Sequence, residues 1–253
     1  MSELAVRREP RAARVASPRP WSATRLAGAG VLAAWAGLFW FLLVTGRDAL
    51  YLSTRTSWVV PVGAVLLTAA AIGRLAAARV PSAEPMSRRE ASVMALMAVP
   101  VVLVLALPPA ALGSFSAGKR AGFASAGIAT SVGDVGAGPL SLIDVAAAQT
   151  SKQGEVALER RATETVDFVG FVVRYADTPA TEFMLTRYIV TCCVADATIA
   201  QVRVVNVPAG AFATNDWVEV KGRIYPLGRE IIVNADANGV TKVPRPEHPY
   251  LTP

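Results

Sequence analysis

The sequence predicts a two-part chain, a membrane α-helical N-terminal part of three spans followed by an all-β C-terminal domain, a small OB-like five-stranded barrel. Three observations predict it. Apolar runs recur three times within the first 115 residues, the pattern switches to period two after Thr165, and turn residues then punctuate five short strand-like segments. Composition agrees. Of 253 residues 53% are hydrophobic and only 17% charged, with a mean hydropathy of +0.41. An ordinary soluble domain carries roughly 25% charged residues.

The first run, residues 26–46, contains no ionisable side chain. The second, 58–73, is short and needs an extension toward 50–57 or 74–80, with Arg55 or Arg74 snorkelling to the interface. The third is 91–115. Crossing about 30 Å of hydrocarbon at 1.5 Å per residue takes about 20 residues. A cleaved signal peptide fits the first run poorly, because the run is longer than the usual apolar segment and Val44-Thr45-Gly46-Arg47-Asp48 is a poor cleavage site. A retained anchor is the better reading. Pro61 and Pro100 are candidates for kinks, and Pro108-Pro109 is placed near the outer end of the third span.

Charge supplies the orientation. Residues 1–150 carry 14 Lys and Arg against 7 Asp and Glu, whereas residues 151–253 carry 11 against 12. The basic excess flanks apolar stretches, so it points to membrane orientation and not to nucleic acid. Arginines 7, 8, 11, 14, 19, 25, 74, 79, 88 and 89 share one side if the N-terminus is inside. Three crossings then put the C-terminal domain outside, in an inner (plasma) membrane. None of the spans holds Asp, Glu, Lys, Arg or His, which argues against a proton or ion path through them. Ala29, Ala33 and Gly37 form a small-xxx-small face suited to close helix contact, although small residues are common throughout this chain.

The sequence divides into a basic cytoplasmic tail (1–25), the helical part (26–115), a Gly/Ala-rich linker (116–152) and the β domain (153–253). Glycines 133, 136 and 138 lack the sequence frame of a P-loop or a dinucleotide fold, so they read as linker. A helical turn is expected near 140–148. Strands are expected at 166–175, 183–194, 198–206 and 216–225, with a fifth beginning over 230–235. The order and the short insert between the third and fourth fit an OB-like barrel, with an open sandwich as competitor.

One chemical signature stands out, Cys192-Cys193 followed by Asp196. On a regular strand neighbouring side chains point to opposite faces, so one thiol is expected in the barrel core and the other at the surface unless the strand bulges. Three readings compete. Cysteine packs as a small hydrophobe. An exposed thiolate with Asp196, His248 and a partner could hold a soft metal ion. A reactive thiol or a bond between the neighbours is the third, although such a ring distorts the peptide. Two cysteines and one histidine exclude a disulfide-rich scaffold and a complete zinc site built from cysteine and histidine alone. No GxSxG surrounds any serine. Cys193 with His248 could form a nucleophile–base pair, but His248 sits in a Pro-rich tail, so the expectation is that the protein is not an enzyme.

The layout, the Arg187-Tyr188-Ile189-Val190-Thr191-Cys192-Cys193-Val194-Ala195-Asp196-Ala197 run and the Pro249-Tyr250-Leu251 ending resemble the YcgQ-type family of bacterial membrane proteins. The resemblance begins near residue 26. It implies a subunit of a two-protein permease, a multi-span partner and an OB-like outer domain; the role expected of that domain is to gate or present solute. Cys192, Cys193 and Asp196 are the expected functional surface, with Arg187 and Tyr188 as lesser candidates. The other class of reading is a membrane-anchored envelope metal-binding or redox module using Cys192 and Cys193.

Overall fold

The computed structural model describes residues 20–79, 85–107, 111–119, 138–228 and 230–253. The basic tail up to residue 19, Pro108-Pro109, Gly133 and Gly136 lie outside the described residues.

Each of the three apolar runs contains a helix long and apolar enough to cross a membrane: α1 (Ala23–Thr45), α2 (Val59–Ala76) and α3 (Arg88–Ala106), the last ending short of the run's expected end at 115. At 1.5 Å per residue their lengths are roughly 35, 27 and 28 Å. Ser22 caps α1 by accepting from the Arg25 amide, and Gly46 ends it in the left-handed conformation, φ 63°. Ser87 and Glu90 form a capping box on α3. The short second run extends toward Arg74, where α2 ends at Ala76. Residues 50–57 stay outside the helix, as a 3-10 turn (Arg47–Leu50) and a looser hydroxyl-rich segment. Pro61 falls in the first turn of α2, where its missing N–H costs little, and Pro100 lies inside α3.

Helix α1 is the hub, packing on both α2 and α3. Gly63 allows the close approach of α2, since a Cβ there would lie 2.5 Å from the Phe39 ring. At one end of the bundle Trp21 bridges Arg79, and the Arg25 guanidinium donates to the Ala77 carbonyl at 2.5 Å. The 46–58 connection and the C-terminal end of α3 occupy the other end, and the barrel joins the molecule there.

The barrel is closed, in the order β1-β2-β3-β5-β4 and back to β1. Its strands are β1 (Thr165–Val173), β2 (Phe183–Ile189), β3 (Thr198–Val205), β4 (Trp217–Leu227) and β5 (Glu230–Lys242). All neighbours are antiparallel except β3 and β5, which run parallel. This is the OB-like barrel that the spacing predicts. β5 begins at Glu230 as expected and continues to Lys242. Asp236-Ala237-Asn238-Gly239 looks like a terminating turn but forms an irregularity, with Ala235 opposite Gly222 and Val240 opposite Val220.

Two apolar clusters build the domain. Val166, Phe168, Val172, Phe183, Leu185, Val204, Val220, Ile224 and Val233 belong to the larger one. Helices α5 (Leu142–Ala148) and α6 (Lys152–Glu159) pack on β3 and β4 and add Leu142, Val145 and Leu158 to it. Both helices are therefore part of the folded domain, although α5 lies in the stretch that reads as linker. The second cluster joins Phe171, Val173, Tyr188, Val190, Ala197 and Ile199 to Ala117, in the short helix α4 (Ser114–Ala117), and to Tyr250. It explains why β1 stops alternating at Phe171-Val172-Val173. The chain arriving from α3 and the returning C-terminal tail cover a second apolar surface, so all three residues are buried.

Candidate functional site

The second strand ends five residues earlier than its expected boundary at 194. The C-terminal tail competes for its edge: the Val190 amide donates to the Leu251 carbonyl and the Leu251 amide to the Tyr188 carbonyl, at 2.9 and 2.8 Å. Beyond Val190 the chain leaves the sheet, and Val194–Asp196 form a single 3-10 turn.

Asp196 organises this turn. Its carboxylate accepts from the backbone N–H groups of Thr191 (3.0 Å), Cys192 (2.7 Å) and Cys193 (3.4 Å). Three N–H groups converging on one carboxylate bend the backbone so that strand alternation no longer applies. Both thiols consequently lie on the same side, with Cys192 Sγ 3.7 Å from Cys193 Sγ. That corrects the expectation of one inward and one outward thiol. Neither is core packing either, because Cys192 is exposed and Cys193 half-buried, and both are free. The two sulfurs and a carboxylate oxygen of Asp196 all lie within 4.8 Å of one another.

The carboxylate sets the proton state of Cys192. The hydrogen bond to Asp196 is the main reason that the Cys192 thiol is pushed up to about 11, with a smaller contribution from Cys193. For Asp196 partial burial works toward protonation. The Cys192 S–H and the three backbone N–H groups outweigh it and hold the carboxyl below its ordinary range. At neutral pH Cys192 is a thiol beside an ionised carboxylate. Thiolate is the nucleophilic form, so unliganded Cys192 is a weak nucleophile.

The loop is docked against the connection between α1 and α2. Leu52 and Cys193 form an antiparallel bridge. The Ser53 amide donates to the Cys192 carbonyl at 3.2 Å and the Val194 amide to the Tyr51 carbonyl at 2.9 Å. The Ser53 hydroxyl donates to the Thr191 carbonyl at 2.8 Å, and the Thr56 hydroxyl to the Cys192 carbonyl at 2.5 Å. These partners are about 140 positions away in sequence. Their only local signal is the Ser53-Thr54-Arg55-Thr56-Ser57 run, whose hydroxyls suit a polar contact better than a membrane span.

The remaining candidates lie elsewhere. Tyr188 is buried in the second cluster, stacks on Phe171 with centroids 5.6 Å apart and donates to the Gly113 carbonyl at 2.7 Å. Arg187 binds the tail, donating to the Pro249 and His248 carbonyls at 3.2 and 2.9 Å, with its guanidinium 5.9 Å from the Trp217 ring centre. Burial lowers its pKa. His248 is exposed and stands outside the cluster formed by Cys192, Cys193 and Asp196. Both lesser candidates thus touch the C-terminal tail or the segment after α3, not the thiol pair.

A separate feature lies on the helical part. A groove of about 580 Å³ runs between α1 and α2, lined by Ala29, Gly30, Ala33, Gly37, Trp40 and Thr68 among others. Gly30 and Gly37 have no neighbouring atom within 4 Å of a would-be Cβ, in contrast to Gly63. The small-residue face of α1 therefore lines an open groove.

Residues 155–253 match the family model described as the DUF1980 C-terminal domain. The match spans all five strands and the thiol-pair loop, and supports a DUF1980/YcgQ-like family for that part of the chain. No curated protein and no solved structure matches.

Proposed function

We propose that the protein is a non-enzymatic subunit of a two-protein permease in a bacterial inner membrane. In this reading the N-terminus is cytoplasmic and the barrel extracytoplasmic. Its helices dock a multi-span partner, and its barrel gates or presents the solute at the partner's outer mouth. The observation that carries the proposal is the groove between α1 and α2, lined in part by Ala29 and with an open stripe of Gly30, Ala33 and Gly37. Small residues let helix backbones approach closely, which is how helices associate where no water drives them together.

Two further observations support it. The spans lack ionisable residues at mid-depth, so a polar path has to come from another protein. Arg25, Arg74, Arg79, Arg88 and Arg89 cluster at or just beyond the helix ends remote from the barrel, as the positive-inside rule asks of a cytoplasmic end. The resemblance to YcgQ-type proteins implies such a subunit, and the DUF1980 C-terminal domain match over residues 155–253 is compatible with a membrane protein.

The test is affinity purification of the full-length chain from its native membrane in mild detergent. The reading predicts a stoichiometric complex with one integral membrane protein of more than three spans. It also predicts that Ala33→Leu with Gly37→Leu dissociates the complex while leaving the chain inserted. A chain that purifies alone, or a complex indifferent to those substitutions, contradicts it.

A further inference from the structure

We propose that Cys192, Cys193 and Asp196 form a binding site for a zinc-like divalent cation, held by two thiolates and one carboxylate with a fourth position open to solvent. The reading goes beyond the permease proposal and does not depend on a partner protein.

The geometry favours a tetrahedral ion. Zinc–sulfur bonds of about 2.3 Å at a tetrahedral angle separate two sulfurs by about 3.8 Å, whereas a linear two-coordinate ion would need about 4.6 Å. The observed separation is 3.7 Å. The Asp196 carboxylate completes a set of three ligand atoms within 4.8 Å. The backbone N–H groups of residues 191–193 hold that carboxylate in place, and hydrogen-bonded ligating carboxylates are the usual supporting arrangement around a metal.

The proton balance is simple. Binding replaces the proton on each sulfur with a metal–sulfur bond, and the displaced protons leave to solvent. No electron moves. Because Cys192 is exposed, the fourth position is reachable by water or by an incoming ligand. Structural zinc sites close all four positions, so an open one leaves the ion able to take water or an exchanging ligand.

The site also touches the membrane part. Both residues bearing the sulfurs lie in the segment that pairs with Leu52, Ser53 and Thr56, in the connection between α1 and α2.

The experiment is a Co(II) titration of the reduced full-length chain in detergent, followed by Zn(II). We expect one equivalent of Co(II) to give the intense visible bands of tetrahedral cobalt with a sulfur-to-cobalt charge-transfer band, bleached by one equivalent of Zn(II). Cys192→Ser and Cys193→Ser should each cut the charge-transfer intensity by about half and weaken binding at least about tenfold. Cys192 is exposed, so its serine variant should keep the wild-type thermal melt, which separates lost binding from lost folding. Octahedral, pale cobalt in the wild type would overturn the proposal. So would a double serine variant that binds Co(II) as the wild type does, which would place the ion elsewhere. Neither result bears on the permease complex, which is read by co-purification.

Discussion

The barrel and the helical part turn their apolar residues in opposite directions. Phe168, Leu185 and Val220 point into a closed interior and are fully or nearly fully buried. Leu66, Leu96 and Val102 point away from the bundle. Only 17%, 17% and 6% of the most apolar windows of α1, α2 and α3 are buried inside the molecule. A barrel of this kind is held by removing apolar surface from water. Helices with so much exposed apolar surface need hydrocarbon around them. One chain therefore uses two solvents, and the joint between them is polar. Hydroxyls and backbone groups of residues 51–56 and 191–194 meet there, with the tail at Tyr250.

The comparison can be broken by substitutions that act oppositely in its two halves. The largest effect is expected in the barrel. Phe168→Ala should cost about 3–5 kcal/mol, from lost burial and the cavity left behind, read by chemical denaturation of the full chain in detergent. Leu66→Ala, at a residue 64% exposed, should change stability by less than about 0.5 kcal/mol. Equal effects at the two positions would mean that the helices are packed as a water-soluble core.

Next in size, Leu66→Arg puts a charge near the middle of α2 and should disfavour membrane insertion by about 2.5–3.5 kcal/mol, measurable in a glycosylation-reporter insertion assay. Unchanged insertion would argue that this run does not span, and the side on which the barrel lies would then reverse.

The third prediction concerns the joint. Asp196→Asn replaces the carboxylate whose hydrogen bond, and to a lesser degree its charge, raises the Cys192 thiol, so its pKa should fall from about 11 toward the ordinary 9.0. The gain in thiolate is partly offset by the lower nucleophilicity of a more acidic thiol, leaving about a tenfold rise in the rate of reaction with a disulfide reagent near neutral pH. The wild-type loop should also loosen in acid. The folded pKa of Asp196 is lowered, so its stabilisation is present above the ordinary carboxylate range and is lost as pH falls through the folded value. Amide exchange at residues 191–193 reads this.

The smallest effect is expected for Tyr250→Phe. The hydroxyl donates to the Leu50 carbonyl at 3.0 Å and accepts from the Leu112 amide at 3.3 Å, joining the tail to both connections from the membrane helices. Its loss should cost about 1 kcal/mol, seen as faster exchange at Leu112 and no change in the barrel interior.

Local pattern explains what was legible in the sequence. Val166, Phe168 and Gly170 alternate with Thr165, Asp167 and Val169, and this marks β1 because one side of it faces an interior. The spans are equally plain, since lipid demands unbroken apolar runs. The site residues Cys192, Cys193 and Asp196 are visible as types, but their arrangement is not. Cys193 takes the N-cap position of a capping box with Asp196, a place usually held by Ser, Thr, Asp or Asn, so the turn has no familiar signature. What sets its position is Ser53 and Thr56, on a connection between two membrane helices. The roles of Tyr188 and Arg187 are hidden for the same reason, since their partners Gly113, His248 and Pro249 are distant in sequence.

The central claim is that the connection after α1 and the barrel meet at one end of the helices. Thr54 and Thr252 test it most directly, because their hydroxyl oxygens lie 3.1 Å apart across that joint. In a chain carrying Cys192→Ser and Cys193→Ser, Thr54→Cys and Thr252→Cys should cross-link nearly completely in native membranes under mild oxidation. Two cysteines that stay unlinked, each labelled independently by a thiol reagent, would contradict the account.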